Sequence, residues 1–159
     1  MTESSHFENK RSLDLICMGR VAVDLYAEQV HSPLEDAQSF RKYLGGCAGN
    51  TAVGTARLGL KSAMFSCVGT DDMGVYLRNT MEKEGVDTSL LRNTPEHLTA
   101  LVLLGVSPPD RFPLIFYREN CADMQILPSD ANPEIFKNAK ALLITGTGLS
   151  TPSMREANR

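Results

Sequence analysis

Apolar and polar positions alternate along this chain in a way that divides it into short strands and helices. Leu13–Met18 (LDLICM) is an almost continuous apolar run that stops at Gly19. Such a run predicts a strand buried on both faces. Val21–Tyr26 is again apolar, interrupted by Asp24, and residues 31–39 read as a loop. Phe40–Leu44 alternates, which predicts a half-exposed strand running into Gly45-Gly46. Asn50–Leu58 predicts a helix with Ala52, Val53 and Ala56 on one face and Gly59 at its C-terminal cap. Ala63–Val68 predicts the next buried strand. Asp71 or Asp72 can cap a helix over Met73–Glu84, and Gly85 can end it. Leu98–Val106 and Leu114–Tyr117 predict two strands. The turn chemistry of Ser107-Pro108-Pro109-Asp110 between them makes the pair a hairpin. Asn132 and Pro133 open a short helix over Pro133–Ala139, and Ala141–Thr145 predicts a last buried strand.

Strands that alternate with helices predict an α/β fold built on a parallel sheet. The Phe40 strand and the hairpin break the alternation and predict a small separate sheet at one edge. Residues 1–12 (MTESSHFENKRS) are polar and read as a disordered tail, which leaves residues 13–159 as the folded part. Thr151-Pro152 is a good helix start, and Ser153-x-x-Glu156 resembles a capping box. The sequence stops within about two turns of that start, and so short a helix is marginal alone. A chain truncated at its C-terminus is therefore expected, with a frayed tail as the alternative. An uncovered sheet edge would then favour association, poor solubility or a low melting temperature.

Composition narrows the function. The chain has 159 residues, 42% hydrophobic and 22% charged, with a net charge of -3. That suits a globular domain, and the scattered basic residues argue against nucleic-acid or membrane-surface binding. No apolar run is long enough to span a membrane. The N-terminus lacks an apolar signal core. Cys17, Cys47, Cys67 and Cys121 form no CxxC pair, and Cys17 and Cys67 sit inside apolar runs. A reduced, cytoplasmic setting follows. His6, His31 and His97 have no ligand spacing, and no metal site is expected from them.

Three features carry chemistry. The segment Gly45-Gly46-Cys47-Ala48-Gly49-Asn50 lies between a strand and a helix. Its glycines permit close approach of a ligand, and the helix start offers unpaired N–H donors. The Asn50 amide both donates and accepts, which suits a sugar hydroxyl. A tight turn with an Asn cap is the plainer reading. Asp24 interrupts an apolar segment, where a carboxylate is costly unless paired. It can accept hydrogen bonds from neighbouring hydroxyls, or serve only as a turn or cap. Arg118 closes the second hairpin strand, and its planar fork matches a carboxylate or phosphate. An exposed edge-strand charge is the alternative. Gly54-x4-Gly59-Leu60-Lys61-Ser62 is close to a phosphate-binding loop, but Leu60 intrudes and the order is helix then strand. No GxGxxG follows the first strand, which disfavours a dinucleotide oxidoreductase. Helix capping accounts for Asp71-Asp72 without a metal.

Together these segments resemble the ribokinase-like PfkB carbohydrate kinases. The matching pieces are Gly19-x4-Asp24, Gly45-Gly46-x3-Asn50, Ala56-Arg57-Leu58-Gly59, Val68-Gly69-Thr70-Asp71-Asp72-Met73-Gly74 and Gly85-Val86-Asp87-Thr88. Within the family, residues 19–26 and 116–123 are most similar to the 5-dehydro-2-deoxygluconokinase branch of inositol catabolism. The resemblance implies an αβα Rossmann-like sandwich with a small β lid, its strands near residues 20–44 and 98–118. It implies ATP and Mg²⁺ as cofactors and a sugar or sugar acid as substrate. Asp24, Gly45, Gly46 and Asn50 would bind sugar hydroxyls, and Arg118 would hold an acid group. A homodimer through the lid strands is a further implication. The family's glycine-rich anion hole, catalytic Asp and nucleotide pocket would lie beyond this sequence, which contains no GxGD segment. This chain is thus expected to supply the acceptor-binding half, with no catalytic residue of its own and no kinase turnover alone. A non-catalytic sugar-acid binder is the alternative. A 2-keto-3-deoxygluconate kinase, a fructokinase or a ribokinase are alternative acceptor specificities.

Overall fold

The computed structural model describes residues 11–158. Most of the expected tail therefore lies outside the described residues. Its last part does not hang free, because Arg11 Nη1 donates to the Ala139 carbonyl at 2.9 Å.

Eight strands form two four-stranded sheets. The first contains β1 (Leu13–Met18), β4 (Ser62–Gly69), β5 (Leu91–Thr94) and β8 (Ala139–Ile144) in the order β5-β4-β1-β8. Every pairing in it is parallel. All eight residues of β4 are buried, as expected of a central parallel strand covered on both faces. Alternate side chains of β1 feed opposite cores. Cys17 packs with Met64, Val68, Leu77 and Met81 beneath α1 (Cys47–Arg57) and α2 (Asp72–Lys83). Ile16 and Met18 pack with Phe65, Ile126 and Met154 on the other face, which carries α3 (Pro133–Lys137) and α4 (Pro152–Ala157). The result is the expected αβα sandwich. Cys17, Cys67 and Cys121 are buried and Cys47 is exposed, all as free thiols. Burial pushes the Cys17 thiol up to about 11.

The second sheet has the order β3-β2-β6-β7, from β2 (Ala22–Ala27), β3 (Phe40–Gly45), β6 (Leu101–Leu104) and β7 (Leu114–Tyr117). β6 and β7 pair antiparallel, so the expected hairpin is present. The Val21–Tyr26 segment joins this sheet and bridges the hairpin to β3.

Several boundaries differ from the sequence expectation. α1 begins at Cys47, three residues before Asn50, because Gly46 takes φ 92° and serves as N-cap. Asn50 is therefore inside the helix and is not its cap. The first strand of the hairpin is shorter than residues 98–106, because its start is used elsewhere. The Leu98 carbonyl accepts from Ala122 N–H at 2.9 Å, and Thr99 N–H donates to Asp71 Oδ2 at 2.8 Å. α4 is capped by Thr151, whose Oγ1 accepts from Met154 N–H at 3.2 Å, while Ser153 Oγ instead donates to the Ile126 carbonyl at 3.2 Å. β5 has no counterpart in the sequence reading. Its four residues, LRNT, show neither an apolar run nor alternation.

Candidate functional site

Register places the chemistry on one face of the second sheet. Asp24 pairs with Tyr43 on β3 and with Val102 on β6, and Val102 pairs with Phe116 on β7. Paired residues share a face, so Asp24, Tyr43, Val102 and Phe116 form one row. Gly45 lies on the same face beside this row, paired with Ala22. A Cβ on Gly45 would fall on the carboxyl group of Asp24. The missing side chain is the seat of that carboxylate, a specific reason for glycine at this position.

Asp24 and Asn50 line one cavity of about 650 Å³, together with Tyr26, Arg41, Tyr43 and Val106. Among the described residues Asp24 makes no side-chain hydrogen bond or ion pair. Burial pushes its carboxyl above the usual range, and the nearby Arg20 guanidinium pulls it part of the way back. A half-buried carboxylate left without partners can accept hydrogen bonds from ligand hydroxyls.

Gly46 and Gly49 have a packing role at the start of α1. A Cβ on Gly46 would come within 2.5 Å of the Arg20 carbonyl. Gly49 N–H donates to that same carbonyl at 3.3 Å. One first-turn donor of α1 is therefore taken by the protein, and the two glycines fit the helix start against Arg20 and Val21.

Arg118 is not an exposed edge charge. Its side chain is 14% exposed, and its Nε donates to Asp123 Oδ2 at 2.7 Å. Asp123, on a 3-10 turn over Ala122–Met124, is 1% exposed. Burial pushes its carboxyl up, and Arg118 offsets this only in part. Asn120, at φ 52°, turns the chain between the two partners. Arg118 does not line the cavity with Asp24 and Asn50. It follows Phe116 by two residues, just past the end of β7. Arg20 and Asp123 escaped the sequence reading. Each is a single charged residue in a stretch without helix or strand period; folding pairs Asp123 with Arg118 and brings Arg20 near enough to act on the Asp123 carboxyl.

Of the two expected candidates, Asp71 and Asp72, it is Asp71 that caps α2. Its Oδ1 accepts from Met73 N–H at 2.9 Å and Gly74 N–H at 3.0 Å. Among the described residues, no group of three or more His, Cys, Asp or Glu could hold a metal ion. No helix among them is long and apolar enough to cross a membrane.

The description of the pfkB family of carbohydrate kinases matches residues 12–159. The chain belongs to that family. It is 36% identical over 152 residues to 5-dehydro-2-deoxygluconokinase of Geobacillus kaustophilus, covering 95% of this chain and 45% of that protein. The enzyme of the same name from Bacillus subtilis is 33% identical, with 95% and 47% covered. Among solved structures, a PfkB protein from Polaromonas sp. JS666 superposes with a TM-score of 0.86 at 32% identity, covering 93% of this chain and 50% of that one. A sugar kinase from Pyrococcus horikoshii, solved in complex with ATP, superposes at 0.83 with 29% identity, covering 91% and 47%. This pfkB-family chain thus spans about half the length of the curated relatives it matches.

Proposed function

We propose that this chain supplies the acceptor-binding half of an ATP-dependent carbohydrate kinase whose acceptor is a sugar acid, 5-dehydro-2-deoxy-D-gluconate. The observation that carries this reading is the unpartnered Asp24 carboxylate, seated on Gly45 and facing one cavity with Asn50. Asp24 accepts from sugar hydroxyls, and the Asn50 amide both donates and accepts. Arg118, just beyond the end of β7, offers the part of its guanidinium that Asp123 does not take to the acid group. The second sheet serves as a lid over the sugar. The similarity to enzymes named 5-dehydro-2-deoxygluconokinase supports an acid rather than a neutral acceptor.

ATP with Mg²⁺ is the proposed phosphoryl donor, in keeping with the ATP complex of the Pyrococcus horikoshii relative. The described residues offer no cluster suited to the metal, so no step through Mg²⁺ is assigned to them. A second copy of the chain is the proposed partner, docked through the exposed strand β7.

Calorimetric titration tests the acceptor. The protein should bind 5-dehydro-2-deoxy-D-gluconate more tightly than D-fructose. Asp24→Ala should weaken both by about 10-fold or more, whereas Arg118→Ala should weaken the acid selectively. Equal affinity of the wild-type protein for acid and neutral sugar would sink the reading.

A further inference from the structure

Three buried side-chain atoms near the lid lack a hydrogen-bond partner among the described residues: Arg20 Nε, Arg118 Nη2 and Asp123 Oδ1. They belong to one neighbourhood. Arg118 and Asp123 are joined by the 2.7 Å ion pair. The Arg20 guanidinium carbon lies 5.5 Å from the centroid of the Phe116 ring. Phe116 is in register with Asp24 through Val102 and precedes Arg118 by two residues along the chain. Arg20 also has its guanidinium near enough to both Asp24 and Asp123 to act on each carboxyl.

Its backbone is held there by the start of α1. Gly49 N–H donates to the Arg20 carbonyl, and the bare Cα of Gly46 packs under it. Its guanidinium lies over the Phe116 ring, a contact that does not use its N–H donors. Among the described residues Arg20 forms no ion pair. The two guanidinium groups share this region with two carboxylates, Asp123 and Asp24, and each keeps one buried N–H donor unused, Arg20 Nε and Arg118 Nη2. A buried donor without a partner is unfavourable, and an arriving acceptor group relieves it.

We propose that Arg20 is a specificity-determining residue that joins Arg118 in clamping the carboxylate of the acceptor, with Asp123 as the shared counter-charge beneath them. The inference rests on the acid-acceptor reading above. A fork on either side of a planar carboxylate can supply paired, charge-assisted hydrogen bonds, and a neutral sugar has nothing to place there. Rejection of the neutral sugar follows, because it would leave the donors buried and unpaired.

The test is calorimetric titration of wild-type protein, Arg20→Ala, Arg20→Lys and Arg118→Ala with three probes: 5-dehydro-2-deoxy-D-gluconate, D-fructose and inorganic phosphate. Arg20→Ala should lose about 10-fold or more in affinity for the acid and stay within about 2-fold for fructose. Arg20→Lys keeps the charge and loses the fork, so it should recover only part of the acid affinity, and it reads the same clamp if the alanine variant folds poorly. Unchanged acid affinity in Arg20→Ala, with Arg118→Ala still impaired, would overturn the role of Arg20 and leave the acid-acceptor reading intact. Equal loss for acid and fructose would also overturn it. A wild-type protein without acid preference would overturn both. Phosphate bound as tightly as the acid would overturn the assignment to a carboxylate.

Discussion

Asp24 and Gly45 show how one residue's absence of side chain positions another's function. The carboxyl of Asp24 occupies the space a Cβ on Gly45 would take. Backbone strain is not the issue at Gly45, since only Gly19, Gly46, Gly59 and Gly85 have positive φ among the described glycines. Gly45→Ala should therefore leave the fold largely intact while displacing the carboxylate. We expect sugar affinity to fall about 10-fold or more with little change in melting temperature. Unaltered affinity for both acid and neutral sugar would show that Asp24 does not touch the ligand. Burial of Asp24 was foreseeable from its apolar neighbours in VAVDLY. Its seat on Gly45 was not, because antiparallel register and not sequence distance brings positions 24 and 45 together.

At the scale of elements, Asp71 ties helix to lid. Besides capping α2, it accepts from Thr99 N–H just before β6. Burial opposes its ionisation, but the N–H groups of Thr99, Gly74 and Met73 and the Thr99 hydroxyl outweigh burial and hold the carboxyl below 3.8. Asp71→Ala should cost about 1–2 kcal/mol, read as a lower urea midpoint. The sign of the pH dependence follows. A depressed folded-state pKa stabilises in full above 3.8, and that contribution is lost as pH falls through the folded value. The gap between wild type and variant should close on acidification. A gap that widens below 3.8 would contradict the account. The cap was legible from Asp71 preceding an amphipathic run. The bond to Thr99 was not, since nothing local distinguishes a cap from a cap that also crosses to another sheet.

For the molecule as a whole, β7 is an exposed, apolar edge of the second sheet. All four of its residues, LIFY, are exposed, with Ile115 at 43% and Tyr117 at 58%. A short apolar edge strand is a template for pairing with another chain. Sedimentation should show a dimer, and Ile115→Lys with Tyr117→Lys should shift it to monomer while sugar binding survives. A wild-type monomer at micromolar concentration would refute the lid-to-lid contact. The two halves of the molecule differ in how far they could be foreseen. The sandwich core was written in the chain, because buried parallel strands need continuous apolar runs, and their helices need caps at fixed spacing. Strand β5 escaped because an edge position tolerates LRNT, with Leu91 and Thr94 as its buried residues. The sequence by itself also marked Asp24, the Gly45–Asn50 loop and Arg118 as chemically unusual. Only the tertiary structure decided which of them share a cavity, that Arg118 is bound to Asp123, and that Arg20 acts on both Asp24 and Asp123. Charged groups find partners by distance in space, and that distance is set by sheet register rather than by any period along the chain.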